Sequence, residues 1–423
     1  MNKYKLTTLK NGLRVITVPT KNSEVVSVAI SVSAGADYES KKESGISHFL
    51  EHMFFKGTET RDVKDIRDEI KEMGARHNAY TSSFNTHYYI DSHVKFFSKS
   101  LDILSDLFLN SIFPEKEIEK ERGVILSEID RSMDNPPAQS FYNLINLMYG
   151  DQPAGRKVLG SKENIRRFNR DDFIKYRDKH YNLSQTTLTI VGDIKHNEVI
   201  KKVNEKFGNA KTHRGKTFPP KIKESQRRPE ISILNKKTEQ THISVGIRTF
   251  SRFDKREPVL TLLNTILGGT SASRLFSILR EEMGLAYSVI SKTYLGHDYG
   301  SIIIYMGVDH NRAEEAVKAL MDLIKVFKKD GVTDEEIRKF KAYLLGVQAL
   351  AYETTGDLAD FYGNQLALMY KHINTPKEIY EKEKKVNKKD IDKLAKEIFQ
   401  NKNINLSIVG PHSKAKFEKI FKL

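Results

Sequence analysis

The chain has 423 residues, room for two or three domains at ~150 residues each, and its 39% hydrophobic residues can give each one a core. Cysteine is absent, which excludes disulfides, thiolate nucleophiles and Cys-based metal sites, so any metal must be held by His, Asp, Glu or backbone oxygen. The net charge of +15 comes from lysines spread along the chain beside acids, without an arginine-rich stripe, and no nucleic-acid partner is expected.

The N-terminal segment alternates apolar and polar residues like a strand and carries neither the apolar core of a secretory signal nor an arginine-rich, acid-poor leader. The longest apolar stretch, Ile302 to Val308, is far short of the ~20 residues that cross a bilayer. No membrane partner is expected, and the location read from this is cytoplasmic. Strands are expected at Lys3 to Thr8, Arg14 to Pro19 and Val25 to Ala34, then helices at Ser44 to Phe55 and Asp62 to Met73, the second closed by Gly74. Two strands follow, His77 to Ser82 and Thr86 to Ser92, then helices at 94–110, 115–133 and 137–149, the last two separated by Asn135-Pro136-Pro137. Strands come in hairpins and helices in runs, which predicts an α+β fold with an antiparallel sheet packed with helices.

The chain repeats itself. Ser27-Val28-Ala29-Ile30 returns 217 residues later as Ser244-Val245-Gly246-Ile247, and Thr189-Ile190-Val191-Gly192 returns 218 residues later as Ser407-Ile408-Val409-Gly410. One such match among strand residues is weak; two at nearly one offset indicate duplication. Between the halves runs KTHRGKTFPPKIKESQRR, a basic stretch with Pro219 and Pro220 and a single acid, read as a solvated linker. The expected organisation is therefore two similar domains, 1–210 and 229–423, joined by a basic linker at 211–228.

On the first helix, His48 and His52 are four residues apart and share a face one turn apart, the spacing that lets two imidazoles bind one tetrahedral Zn²⁺. Glu51 lies on that side too, placed to take a proton from water at the metal without itself being a ligand. This His-x-x-Glu-His order reverses the His-Glu-x-x-His zinc helix. A catalytic zinc wants a third protein ligand. The helix 115–133 offers Glu121 and Glu128, seven apart and on one face, but spacing alone does not choose among Glu117, Glu119, Glu121 and Glu128.

The run HFLEHMFFKGT, with Glu128 standing 76 residues after His52 within ERGVILSEID, resembles the pitrilysin, insulysin and mitochondrial processing peptidase family of zinc peptidases. The resemblance covers nearly the whole chain, and the duplicated halves look like the processing-peptidase branch. It implies His48, His52 and Glu128 as ligands of one Zn²⁺ per chain, Glu51 as general base and Glu121 as a support for the site. It also implies that Asn78, Ala79 and Tyr80 lie on an edge strand that pairs with an extended peptide. In the second half the 217-residue offset puts Thr265, Gly268 and Gly269 where His48, Glu51 and His52 stand, so the metal site is not repeated. Arg280 and Tyr287, seven apart, match residues that in the family position the peptide and stabilise the oxyanion. The expected function is zinc-dependent cleavage of peptides or unfolded segments inside a chamber closed by two chains, a homodimer or a heterodimer with a related subunit. The alternative is a non-catalytic scaffold or partner subunit of the same fold.

Overall fold

The structure, a computed structural model, describes residues 4–211 and 215–423, so three positions of the basic 211–228 stretch, and Lys3 of the first expected strand, lie outside the described residues. The first sheet has six strands, β1 (Lys5–Thr8), β2 (Arg14–Pro19), β3 (Val25–Val32), β4 (Arg76–Thr81), β5 (Thr86–His93) and β6 (Thr186–Gly192), in the order β1-β2-β6-β3-β5-β4. The second has β7 (Glu230–Asn235), β8 (Thr241–Arg248), β9 (Ala286–Leu295), β10 (Gly300–Val308) and β11 (Ile404–Gly410), in the order β7-β11-β8-β10-β9. Leaving out β1, the two orders are the same, so the duplication seen in the residues is also one of topology.

Each sheet is antiparallel except for one parallel pair, β2 with β6 and β7 with β11. The partners of each parallel pair are separated by most of a half, the long connection that a parallel pairing requires. Ser27 faces Val191 in the first sheet, whereas Ser244 faces Ser407, the sequence counterpart of Thr189, in the second. The pair β8 with β11 thus differs from β3 with β6 by a two-residue slip, which leaves their side chains on their own faces.

Four helices near the N-terminus position the site: α1 (Ile46–Phe54), α2 (Val63–Glu72), α3 (Phe97–Asn110) and α4 (Glu115–Met133). In α1 the apolar positions Ile46, Phe49, Leu50, Met53 and Phe54 fall at helical spacing and are buried, which turns His48, Glu51 and His52 toward the other side. Phe49 meets Phe173 edge-on at 4.8 Å and Phe54 stacks on Tyr88 at 4.8 Å, fixing α1 against the helix Arg170–His180 and the sheet. Asp62 caps α2 through the N–H groups of Lys64 and Asp65, and Gly74 follows it with φ of 59°.

The packing units do not coincide with the sequence repeats. One compact unit comprises 1–129, 157–220 and 349–377; the other comprises 130–156, 221–348 and 378–423. The helix α5 (Pro136–Tyr149), capped by Asn135, lies on β8 and β11 of the second sheet, and its counterpart Thr355–Ala367 lies on β3 and β6 of the first. Each half lends the other the helix that covers one face of its sheet. On the first sheet this helix buries Ala359, Tyr362 and Leu366 against Ile16, Val18, Ala29 and Val191. The opposite face carries the larger core, including residues of α1, α3 and α4. Among the described residues no helix is long and apolar enough to cross a membrane.

Candidate metal centre

The one group of three potential metal-ligating side chains among the described residues is His48, His52 and Glu128, whose ligand atoms all lie within 4.8 Å of one another. His48 Nε2 stands 3.6 Å and His52 Nε2 4.0 Å from the same oxygen, Glu128 Oε2. With bonds of about 2.0–2.1 Å, tetrahedral ligands sit roughly 3.3 Å apart, so a small contraction would close this cage around one ion. Glu128 is presented by α4, whose buried face of Ile118, Glu121, Ile125 and Ile129 sets the rotation of the helix.

The donor set fits zinc in its details. His52 Nδ1 pairs with Glu121 Oε2 at 2.9 Å. A carboxylate accepts, so a proton sits on Nδ1, and in the neutral ring this tautomer leaves the Nε2 lone pair for ligation. His48 Nδ1 is buried without a hydrogen-bond partner, and its Nε2 is too far from Glu128 for a hydrogen bond, so no protein group satisfies that imidazole. Burial, and secondarily His52, pushes the His48 pKa down to about 4, keeping the ring neutral. Burial opposes charge on His52 as well, but the Glu121 hydrogen bond and the charges of Glu51 and Glu128 outweigh it and raise the pKa. The bond from His52 is the chief reason that Glu121 is held down to about 2, with Lys56 adding to it.

Glu51 lies on the same turn but outside the three-ligand group. Thr81 Oγ1, at the end of β4, donates to Glu51 Oε2 at 2.6 Å. Burial raises the Glu51 pKa, opposed by that hydroxyl and by His52. Such a carboxylate is a stronger base than an exposed one. β4 is a terminal strand of its sheet; Arg76, His77 and Asn78 are exposed, and Ala79 and Tyr80 half-buried. The Tyr80 hydroxyl donates to Asp360 at 2.5 Å and accepts from Asn364 at 2.6 Å, so helix Thr355–Ala367 anchors this strand.

Arg280 and Tyr287 belong to the second unit. Arg280 lies on a π-helical stretch, Phe276–Glu282, with its guanidinium over the Phe276 ring at 4.8 Å. Tyr287 is the extra residue of a β-bulge: Ser288 pairs with Gly307 and Ala286 with Val308, which leaves Tyr287 unopposed and 77% exposed. Thr265, Gly268 and Gly269 are on or just after the helix Glu257–Gly268 and offer no ligand set.

Two residues outside the motif touch the site, and a third supports its helix. Lys56 pairs with Glu121, Thr81 with Glu51, and Glu39 caps α1. Only Lys56 carried a signal, because it continues the four-residue spacing of His48 and His52; the partners of the others are set by the fold.

The family model described as "Insulinase (Peptidase family M16)" matches residues 14–162, and that described as "Peptidase M16 inactive domain" matches 167–344. An "uncharacterized zinc protease" of Rickettsia bellii is 34% identical over 415 residues, 98% of this chain and 99% of its own length. The uncharacterized zinc protease YmxG of Bacillus subtilis is 31% identical over 407 residues, 96% of this chain and 97% of its own. Among solved structures, a protease from Helicobacter pylori superposes with a TM-score of 0.91 at 24% identity, covering 97% of this chain and 100% of that one. A structure described as a peptidase M16 inactive domain, from Pseudomonas fluorescens, gives 0.89 at 18% identity over 97% of this chain and 98% of that one; both show a shared fold. With two matching domain models and relatives named zinc proteases along its whole length, the chain belongs to the insulinase family, peptidase family M16.

Proposed function

We propose that this chain is a zinc-dependent endopeptidase acting on peptides or unfolded segments, with Glu51 as its general base. The observation that carries the reading is the meeting of two imidazoles and the Glu128 carboxylate beside a fourth group, Glu51, that is half-buried, hydrogen-bonded and outside the ligand set. His48, His52 and Glu128 would hold the metal. When bound, zinc supplies a Lewis acid that polarises a carbonyl and makes water a nucleophile near neutral pH.

The rest is work for the chain's own residues. Glu51 takes the proton as the nucleophile forms and returns it to the leaving amine, while Thr81 holds its carboxylate in place. The free edge of β4 takes the peptide as an added strand, so main-chain hydrogen bonds bind it and side-chain preference stays loose. Tyr287 and Arg280 serve the developing oxyanion from the second chain of a homodimer whose closure makes the chamber. The test is zinc content with peptide turnover, measured with and without a chelator. One zinc per chain, and turnover that the chelator abolishes and added zinc restores, is the expected result; turnover indifferent to the chelator contradicts the reading.

A further inference from the structure

The face of α1 that carries His48 and His52 continues past the end of the helix. Lys56 stands one turn beyond His52, in a turn closed by its own N–H donating to the Met53 carbonyl at 3.1 Å. Its Nζ reaches Glu121 Oε1 at 2.6 Å, while the other oxygen of that carboxylate holds His52 Nδ1 at 2.9 Å. The carboxylate is thus gripped at both oxygens and cannot swing about its last side-chain bond. Lys56 and Glu121 are only 23% and 12% exposed, so solvent screens their attraction less than that of a surface pair.

The charge balance gives the lysine a reason to be there. Glu51, Glu121 and Glu128 bring three carboxylates to one small site with two imidazoles. Unpaired, Glu121 would be drawn to the metal itself and would abandon His52. Paired at Oε1, it is kept as an acceptor for the imidazole. Glu121 and Glu128 are also seven residues apart on α4, so the tether from α1 to Glu121 helps hold the helix that presents Glu128.

We propose that Lys56 is a positioning residue for zinc: through Glu121 it locks His52 in the tautomer and orientation that present Nε2 to the metal. The inference rests on the zinc reading above. The measurement is zinc affinity of the full chain, by competition with a chromophoric chelator, for wild type, Lys56→Met, Glu121→Gln and the double variant, with the melting temperature of each zinc-free protein. Lys56→Met is expected to weaken zinc about tenfold and Glu121→Gln by about 10 to 100-fold, the usual range for groups that support a ligand. The double variant is expected to be no weaker than Glu121→Gln alone, since Lys56 acts only through that carboxylate. Lys56→Gln replaces Lys56→Met should the latter fail to fold. Affinity within about twofold of wild type, or losses that multiply in the double variant, overturns the role of Lys56 while the metal site stands. A wild type that binds no zinc overturns the metal reading and this inference with it.

Discussion

Glu39 shows what a single residue contributes to this site from outside it. The N-cap residue of α1, Gly45, is left-handed with φ of 98° and has no side chain to offer the first helical N–H groups. Glu39, wholly buried, supplies the cap instead: Oε2 accepts from the Gly45 N–H and Oε1 from the Ser47 N–H, each at 2.8 Å. Burial outweighs these two bonds and pushes the carboxyl up to about 8 from an ordinary 4.5. The folded state therefore binds this proton more tightly than the unfolded state does. The stability it contributes is fully present below pH 4.5 and is lost as the pH rises through about 8. In zinc-free protein, wild type is expected to lose about 1.4 kcal/mol per pH unit relative to Glu39→Gln between pH 5.5 and 7.5, read from urea unfolding. A difference independent of pH contradicts this.

At the scale of elements, the exchanged helices depend on close approach. A methyl group at Gly363, on the helix Thr355–Ala367, would come 2.8 Å from Ser31 Oγ and 2.9 Å from Thr189 Oγ1. Those short side chains stand on buried strands and cannot swing aside, whereas on the second sheet the close approach is at a strand glycine, Gly246, which faces the flexible Met148 Sδ of α5. Gly363→Val is expected to cost about 1–3 kcal/mol by overpacking, seen as a lower urea midpoint; an unchanged midpoint would show that the helix is not seated as described. The exchange was not legible in the residues. Periodicity announces that 136–149 has an apolar face, but nothing in it names the sheet which that face covers. The helix 115–133 and the strand pair around Thr86 were legible, because proline, glycine and alternation bound them locally. So were His48, Glu51 and His52, which one turn of helix brings together. Glu128 needed the family resemblance, since spacing alone does not choose it from Glu117, Glu119 and Glu121 on the same helix. Thr81 and Glu39 stayed hidden because a hydrogen bond between a strand end and a helix, or between a loop and a helix start, depends on how the chain folds back.

At the scale of the whole molecule the halves have diverged from one plan. The first carries His48, Glu51 and His52 on its helix; the second has Thr265, Gly268 and Gly269 there and instead presents Tyr287 on a bulge of a terminal strand. A homodimer in which the second chain supplies Tyr287 makes use of both halves, with two equivalent sites. Mixing inactive His48→Ala chains with inactive Tyr287→Phe chains is then expected to restore activity on subunit exchange, because half the sites in a mixed dimer are wholly wild type. Verified mixed dimers without activity would refute the arrangement, as would a fully active monomer.

In the proposed chemistry three residues hold zinc while a fourth, Glu51, moves the proton. Glu51→Gln keeps the shape of the side chain, and its carbonyl can still accept the Thr81 hydrogen bond, but it removes the base. Zinc content and peptide turnover measured on one preparation of this variant test the division of roles most directly. One zinc per chain as in wild type is expected, with turnover reduced by about 10² or more. Zinc lost with the activity, or turnover close to wild type with zinc in place, would contradict it.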